Sequence, residues 1–415
     1  MTTKITEKNI SNIANRFIQW QSVITADGST ATSAVAGQGY LIDTTSATHT
    51  INLPTSASNG DSIVIKDYAG TFNTNNLTIA RNGHNIQGVA NDSLISSNRA
   101  SLTLVYIDST RGWVYTKESN VADLQAATFI AATGGTIATS GNFKIHSFTG
   151  DGCFVVSSVG NPIGSTSVDY LVVAGGGGGG KNDGGGGGAG GFRTTFPSPG
   201  CNAGAFPISV TTYPITVGGG GAGGTGPCSA AGSSGSNSIF STITSAGGGG
   251  GGGRDTNNAA SGGSGGGGSG TPANPAGSGN TPPVSPPQGN PGAVSGGTPT
   301  SGAGGGGGAN AAGSTGNTPG PGGAGGAGSS NSITNSSVTR AGGGGGGAGA
   351  VGTGGAGGTG GGGKGGDYPT SSPKTAAVGG TANTGSGGGG GSRGGPVYDG
   401  AAGGKGIVII RYKFQ

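Results

Sequence analysis

Charge is scarce in this chain. Only 8% of its 415 residues are Asp, Glu, Lys or Arg, where about 25% is usual. It has three histidines (His49, His84 and His146), one Met and two Trp. General acid–base catalysis needs titratable side chains gathered at one place, and three widely spaced histidines in β-like sequence offer no such gathering. Asp43, Asp61 and Asp67 could form a glycosidase-like carboxylate pair, but turn positions explain them equally well, and a long aromatic groove is missing. No stretch approaches 18 consecutive apolar residues, so a transmembrane helix is not expected. The opening MTTKITEKNISN is polar and unlike a secretory leader. Cys153, Cys201 and Cys228 form no CxxC or Cys/His cluster, so neither a zinc site nor a disulfide framework is expected, although Cys201 and Cys228 could pair in an oxidised particle. The residues therefore call for no catalytic group, no cofactor and no metal.

Glycine is abundant instead. Of 105 glycines, 15 lie in residues 1–170 and 90 in residues 171–415. Charge divides at the same place: 9 Lys/Arg against 11 Asp/Glu before it, 10 against 4 after it. The cations of the second half are thinly scattered, typically tens of residues apart. A nucleic-acid surface would cluster them, so no nucleic-acid partner is expected.

Within the first half, EKNISNIANRFIQW places Ile10, Ile13, Ala14 and Phe17 on one face of a short amphipathic helix. A helix this short is marginal alone, so Ile10, Ile13 and Phe17 are candidate docking or self-association residues, over an N-terminal segment 1–20. Residues 21–122 then read as short strands (GYLIDTT, HTINLP, DSIVIKDY, NLTIARNG, SLTLVYID, GWVYTKE) separated by turn signals at Asn59-Gly60, Asn82-Gly83 and Asp108–Gly112. That pattern predicts an all-β sandwich or barrel. A β connector, 123–174, follows.

Residues 175–415 cannot be a conventional globule, because glycine buries no apolar side chain. Two physical outcomes are open. One is a flexible coil. The other is a packing of extended polyproline II helices, which have three residues per turn and leave every backbone group free to bond a neighbour. Collagen is excluded, since the runs lack a strict Gly-X-Y period. Three features favour the packed form. A short β-like segment followed by Ala and a glycine run recurs as DYLVVAGGGGGG, TITSAGGGGGGG and SVTRAGGGGGG. SNSI precedes two of these. The chain closes on an apolar strand over 406–414 (GIVIIRYKF). The apolar segments 170–174 and 407–412 should lie side by side, since little else could bury them.

These motifs, together with GGGGGAGGFRTT, YPITVGGGGAGG, NTPPVSPPQGNPG and GTANTGSGGGGG, resemble the glycine-rich domain of bacteriophage tail-fibre and adhesin proteins, especially those of cyanophages and other aquatic phages. The likeness covers roughly residues 130–415. It implies a sandwich of polyproline II helices with host-contacting loops at its ends, in a virion protein. It implies as partners a second and third copy of itself (a homotrimer), other tail or virion proteins at the N-terminus, and a host polysaccharide or outer-membrane protein. Arg193–Tyr213, Arg254–Ala260, Asp367–Ala377 and Pro396–Asp399 connect the glycine runs and carry most of that region's aromatic and charged residues. Arg254, Asp255, Tyr368 and Tyr398 are therefore the candidate receptor contacts. The alternatives are a capsid or collar fibre or decoration protein, a polysaccharide depolymerase, and a cell-wall or matrix glycine-rich protein. GGGGGGK at 175–181 mimics a phosphate-binding loop, but the fingerprint needs Ser or Thr next, and Asn182 follows.

Overall fold

A computed structural model describes residues 18–119, 127–161, 164–196, 206–226, 230–254, 258–270, 274–298, 300–368, 375–394 and 399–415. The described residues contain strands and turns but no helix. They divide into two compact units between Ala127 and Thr128.

The first unit carries β1 (Gln19–Trp20), β2 (Ile24–Thr25), β3 (Thr32–Ser33), β4 (Gln38–Asp43), β5 (His49–Asn52), β6 (Ser62–Asp67), β7 (Leu77–Ala80), β8 (Ser93–Ile95), β9 (Ser101–Asp108) and β10 (Gly112–Ser119). Up to β7 the chain passes back and forth between two sheets. β1 and β2 pair in parallel with β4, and β4 with β6. In the other sheet β3, β5 and β7 stack in parallel, so that Thr32, Ile51 and Ile79 fall in register. The result is a stack of two-sided rungs, closed by antiparallel β8, β9 and β10. Strands alternate: β6 buries every second residue, and β9 does so as far as Tyr106. Ile63, Ile65, Leu102, Leu104 and Trp113 from one sheet thus meet Ile51, Leu77, Ile79 and Ile95 from the other in one core.

Two facing sheets agree with the expected all-β sandwich, but the pairing is largely parallel. Of the three turn signals, Asp108–Gly112 and Asn82-Gly83 lie between consecutive antiparallel neighbours, β9 with β10 and β7 with β8, whereas Asn59-Gly60 lies where the chain changes sheet. A turn signal marks a reversal of direction and does not choose the partner strand. The last residues of the expected helix are not helical. Gln19 and Trp20 are a strand beside Gln38 and Gly39, not the end of a helix. Gly39 is what admits them: a Cβ there would lie 2.8 Å from Trp20 Cε3 and Ile18 Cγ2. Ile10, Ile13 and Phe17 lie outside the described residues.

The second unit carries β11 (Ala131–Thr133), β12 (Thr136–Ser140), β13 (Phe143–Phe148), β14 (Gly152–Ser158), β15 (Ser167–Val173), β16 (Phe192–Thr194), β17 (Phe206–Pro207), β18 (Thr212–Thr216), β19 (Ser238–Phe240), β20 (Ile243–Ser245), β21 (Ser329–Asn331), β22 (Val338–Arg340) and β23 (Ile407–Lys413). One sheet runs β12-β13-β23-β15-β16, a second runs β11-β14-β18-β19-β20, and β21-β22 is a hairpin. The two apolar segments do pair: β15 and β23 are antiparallel, with Leu171 opposite Ile409 and Val172 opposite Val408. Both faces of this pair are apolar, so both must be covered. Tyr170, Val172, Val408 and Ile410 pack with Phe154 and Phe240; Leu171, Val173, Ile407 and Ile409 pack with Ala189, Phe192 and Ile333. His146 ties β23 in further. Its Nδ1 donates to the Gly134 carbonyl at 2.7 Å, which leaves Nε2 to accept from the Tyr412 hydroxyl at 3.1 Å.

Beyond β15 the glycine runs are ordered by backbone bonding with a period of three. The N–H groups of 175, 178 and 181 donate to Ser236, Ser233 and Ala230; those of 176 and 179 to Gly404 and Ala401; those of 177 and 180 to Gly188 and Gly185. The carbonyls of the same run accept from Gly248 and Gly251, from Gly221 and Gly224, and from Gly388 and Gly391. One run therefore has six neighbours, three that it donates to and three that it accepts from. Runs 184–191 and 341–349 are surrounded in the same way. The packing leaves no room for a side chain. A Cβ on Gly177 would sit 2.2 Å from the Gly249 carbonyl oxygen, and one on Gly344 2.0 Å from that of Gly388.

Candidate functional site

Run 174–181 leaves β15 and run 184–191 returns to β16, so the turn 181–183 lies at the end of the lattice far from the sheets. Following the bonded runs in the same way brings the connections around residues 226, 254, 270, 297, 319, 351, 368 and 394 to that end. Side chains that the lattice cannot hold collect there. Among the described residues from 181 to 399, every charged one except Arg193, Arg340 and Lys364 is at the far end, and Lys364, within a run, reaches Asp367 there.

The turn 181–183 is the hub. Asn182 and Asp183 both take φ of 55°, a left-handed geometry that short polar side chains tolerate better than others. Lys181 Nζ pairs with Asp399 Oδ1 at 2.7 Å. The Lys181 carbonyl accepts from the Arg254 N–H at 3.3 Å, and that of Asp183 from Gly270 at 3.0 Å. Asp183 is fully buried, with Arg393 Nε 3.8 Å from Oδ2. Tyr368 exchanges backbone bonds with Gly352 at 2.8 and 2.9 Å, and a Cβ on Gly394 would lie 3.6 Å from its ring. Beside it, burial would raise the Asp367 carboxyl. Bonds from Lys364 Nζ (2.7 Å), the Thr375 hydroxyl (2.6 Å) and the Gly354 N–H (2.8 Å) outweigh that and hold it below its ordinary value.

Of the sequence candidates, Arg254 and Tyr368 thus occupy one end of the unit, each next to residues that touch the 181–183 turn. Asp255 and Tyr398 lie outside the described residues, as do Cys201 and Cys228; Cys153 is a free, exposed thiol. The segment from Arg193 requires correction: Arg193 sits in β16 opposite Val172, at the sheet end, because β16 continues the run that returns there. Asp183 and Arg393 were not singled out from the sequence, Lys181 stood out only as a phosphate-loop mimic, and Asp399 only as the end of a candidate connection. Their signal was position, since each stands within a few residues of the end of a glycine run.

The remaining motifs have structural occupations. N–H groups 175–181, which a phosphate would need, are all bonded to carbonyls. Asp67 accepts from the Gly70 and Arg99 N–H groups at 2.8 and 2.7 Å, Asp43 from Thr45 at 2.9 Å, and Asp61 from Ser58 at 2.8 Å. Each of these carboxylates holds a turn. His49 is buried, with Nε2 2.9 Å from the Thr32 hydroxyl, and His84 Nε2 donates to the Thr55 carbonyl at 3.1 Å. Among the described residues no three His, Cys, Asp or Glu gather as a metal would need.

Residues 149–413 match the family model of a glycine-rich domain, well over half the chain, and the chain belongs to that family. Residues 12–125 match a model described as the N-terminal part of a bacteriophage T4 gp9/10-like protein. No curated protein matches the chain. Together the two matches support a phage structural protein of the tail-fibre type.

Proposed function

We propose that this member of the glycine-rich family is a virion fibre-tip adhesin, in which the far-end loops of the glycine-rich unit contact the host surface. The observation that carries the reading is the segregation of side chains. Runs that spend their backbone groups on six neighbours form a rigid body with almost no side chains, and most of its charged residues, with Tyr368, stand where the runs turn far from the sheets. Loops on a rigid scaffold are where recognition concentrates. The three-residue bonding period supports the further reading that the runs are polyproline II helices, since that conformation repeats every three residues and bonds only outward.

In this reading Arg254, Asp255, Tyr368 and Tyr398 contribute contacts to a surface polysaccharide or outer-membrane protein. The N-terminal unit attaches to other virion proteins, in keeping with the phage match over 12–125, and Ile10, Ile13 and Phe17 hold three copies together. The resemblance to cyanophage fibres suggests an aquatic host. The phage structural match suggests a role other than catalysis, and the occupied carboxylates agree.

The test is adsorption. Purified full-length protein should bind host cells and compete with virions for them, and Arg254→Ala with Tyr368→Ala should reduce binding while the melting temperature holds. Undiminished competition by the double variant would remove the far end as the contact surface. Release of reducing ends from host polysaccharide would favour a depolymerase. Full-length protein that competes for no host cell would favour a capsid or collar decoration role.

A further inference from the structure

At the sheet end of the second unit, the β12–β13 turn, the β21–β22 turn and β23 surround an open cleft of about 480 Å³, lined by Ser140, Gly141, Asn142, Phe143, Asn335 and Arg411. The volume is in the range of small-ligand sites. Arg411 is the one charged residue in the lining. Its guanidinium carbon lies 4.2 Å from the ring centre of Phe143 and 4.8 Å from that of Phe196. Nη1 donates to the Ile333 carbonyl at 3.2 Å, and Nε is buried with no partner.

Two contacts to rings and one to a carbonyl hold the guanidinium in place without bonding a carboxylate to it. Among the described residues no carboxylate lies within ion-pair distance of it. The nearest acid by strand register is Asp169, opposite Arg411, whose Oδ1 accepts from the Thr195 hydroxyl at 3.1 Å. Its field reaches Arg411 without occupying the guanidinium fork. Around that fork stand two primary amides and a hydroxyl. Amides both donate and accept, as sugar hydroxyls do. With Nε buried and Nη1 bonded, an immobilised guanidinium can still offer its terminal Nη edge to a carboxylate in a charge-assisted bond.

We propose that this cleft binds a carboxylated saccharide, a uronic-acid unit of a glycan. The carboxylate bonds to Arg411, the ring hydroxyls to Asn142, Asn335 and Ser140, and the apolar face of the sugar lies against Phe143. The site is at the opposite end of the unit from the loops assigned above to host contact, and stands independently of that reading.

The experiment is calorimetric titration of the full-length protein with trigalacturonate, neutral galactotriose and acetate. A charge-assisted pair gained against the neutral sugar should make trigalacturonate bind about tenfold tighter or better, with acetate far weaker than either sugar. Arg411→Gln should abolish the preference. Because Arg411 also stacks between two rings, a second variant is needed. Asn335 is exposed, in a turn at φ of 68° that Asp also tolerates. Asn335→Asp should weaken trigalacturonate binding about tenfold by like-charge repulsion, a larger loss than the same change causes for galactotriose, with the melting temperature unchanged. Equal affinity for the acidic and neutral sugars, undiminished binding in Asn335→Asp, acetate binding as tight as trigalacturonate, or no binding of trigalacturonate overturns the assignment.

Discussion

Replacing Gly177 with Ala adds a single methyl group to the middle of the glycine lattice. The new Cβ would lie 2.2 Å from the Gly249 oxygen and 2.5 Å from its carbonyl carbon, against about 3.4 Å or more for ordinary contact. Run 246–254 must then retreat by roughly an ångström, and it is not free to do so. Gly248 and Gly251 donate to Gly175 and Gly178, Gly249 donates to Ser264, and the Gly249 carbonyl accepts from Gly188, all at 2.8–2.9 Å. Two or three of these bonds must lengthen or break, each leaving a buried group unmet at about 1–3 kcal/mol. The expected destabilisation is about 3–6 kcal/mol, a large part of a net stability of roughly 5–15 kcal/mol. Gly219→Ala is the control. Gly219 is exposed, its φ is not positive, and an added Cβ there meets nothing within 4 Å. Lower entropy of the unfolded chain should make that variant neutral or stabilise it by about 0.4–1 kcal/mol. Calorimetry with limited proteolysis of the glycine-rich unit would read both. Gly177→Ala melting with Gly219→Ala and resisting protease equally well would refute the reasoning, because it would mean that the runs are not packed on all sides.

Further outcomes follow from the sheet end. Ile409 is fully buried in β23, so Ile409→Asp should destabilise the second unit by about 3–5 kcal/mol and open the glycine runs to protease; an unchanged digestion pattern would count against β15–β23 as the closure. Burial lowers the His146 pKa, outweighing the bond to Gly134. The folded unit then takes up a proton less readily than the unfolded chain. Its contribution should be complete above about pH 6.5 and fall away as pH drops below that. His146→Gln should flatten this part of the pH–stability curve, and an identical slope in the variant would show that another group titrates. If Ile10, Ile13 and Phe17 join the copies, light scattering should give a trimer for the full chain and smaller species after deletion of residues 1–20; a monomeric full chain at micromolar concentration removes the trimer.

Legibility varied with the physical origin of each feature. The all-β character was readable because β-branched and aromatic residues alternate in short segments, and that pattern is local. The parallel stacking of the first unit was not. Asn59-Gly60 and Asp108–Gly112 are both turn signals, yet one carries the chain to the other sheet and the other closes a hairpin, because a local turn signal does not choose the partner strand. Trp20 shows the same limit. Helical spacing ran through it, but a parallel neighbour whose Gly39 has no side chain to obstruct it offered backbone bonds that a short helix could not outweigh.

For the glycine-rich half, composition alone dictated that backbone bonds had to replace a side-chain core in the runs, and the apolar ends at 170–174 and 407–412 pointed to their own pairing as the two most apolar strands of that half, whereas the residues between them that cover the pair, Ala189, Phe192, Phe240 and Ile333, were placed only by the fold. Which run lies beside which was decided only in three dimensions. Every glycine presents the same N–H and C=O, so the sequence holds almost no local information about partners. The far-end cluster follows from that. Lys181, Asp183, Arg254, Tyr368, Arg393 and Asp399 span more than two hundred residues, and only the back-and-forth path of the runs between the sheets and the far turns brings them to one place.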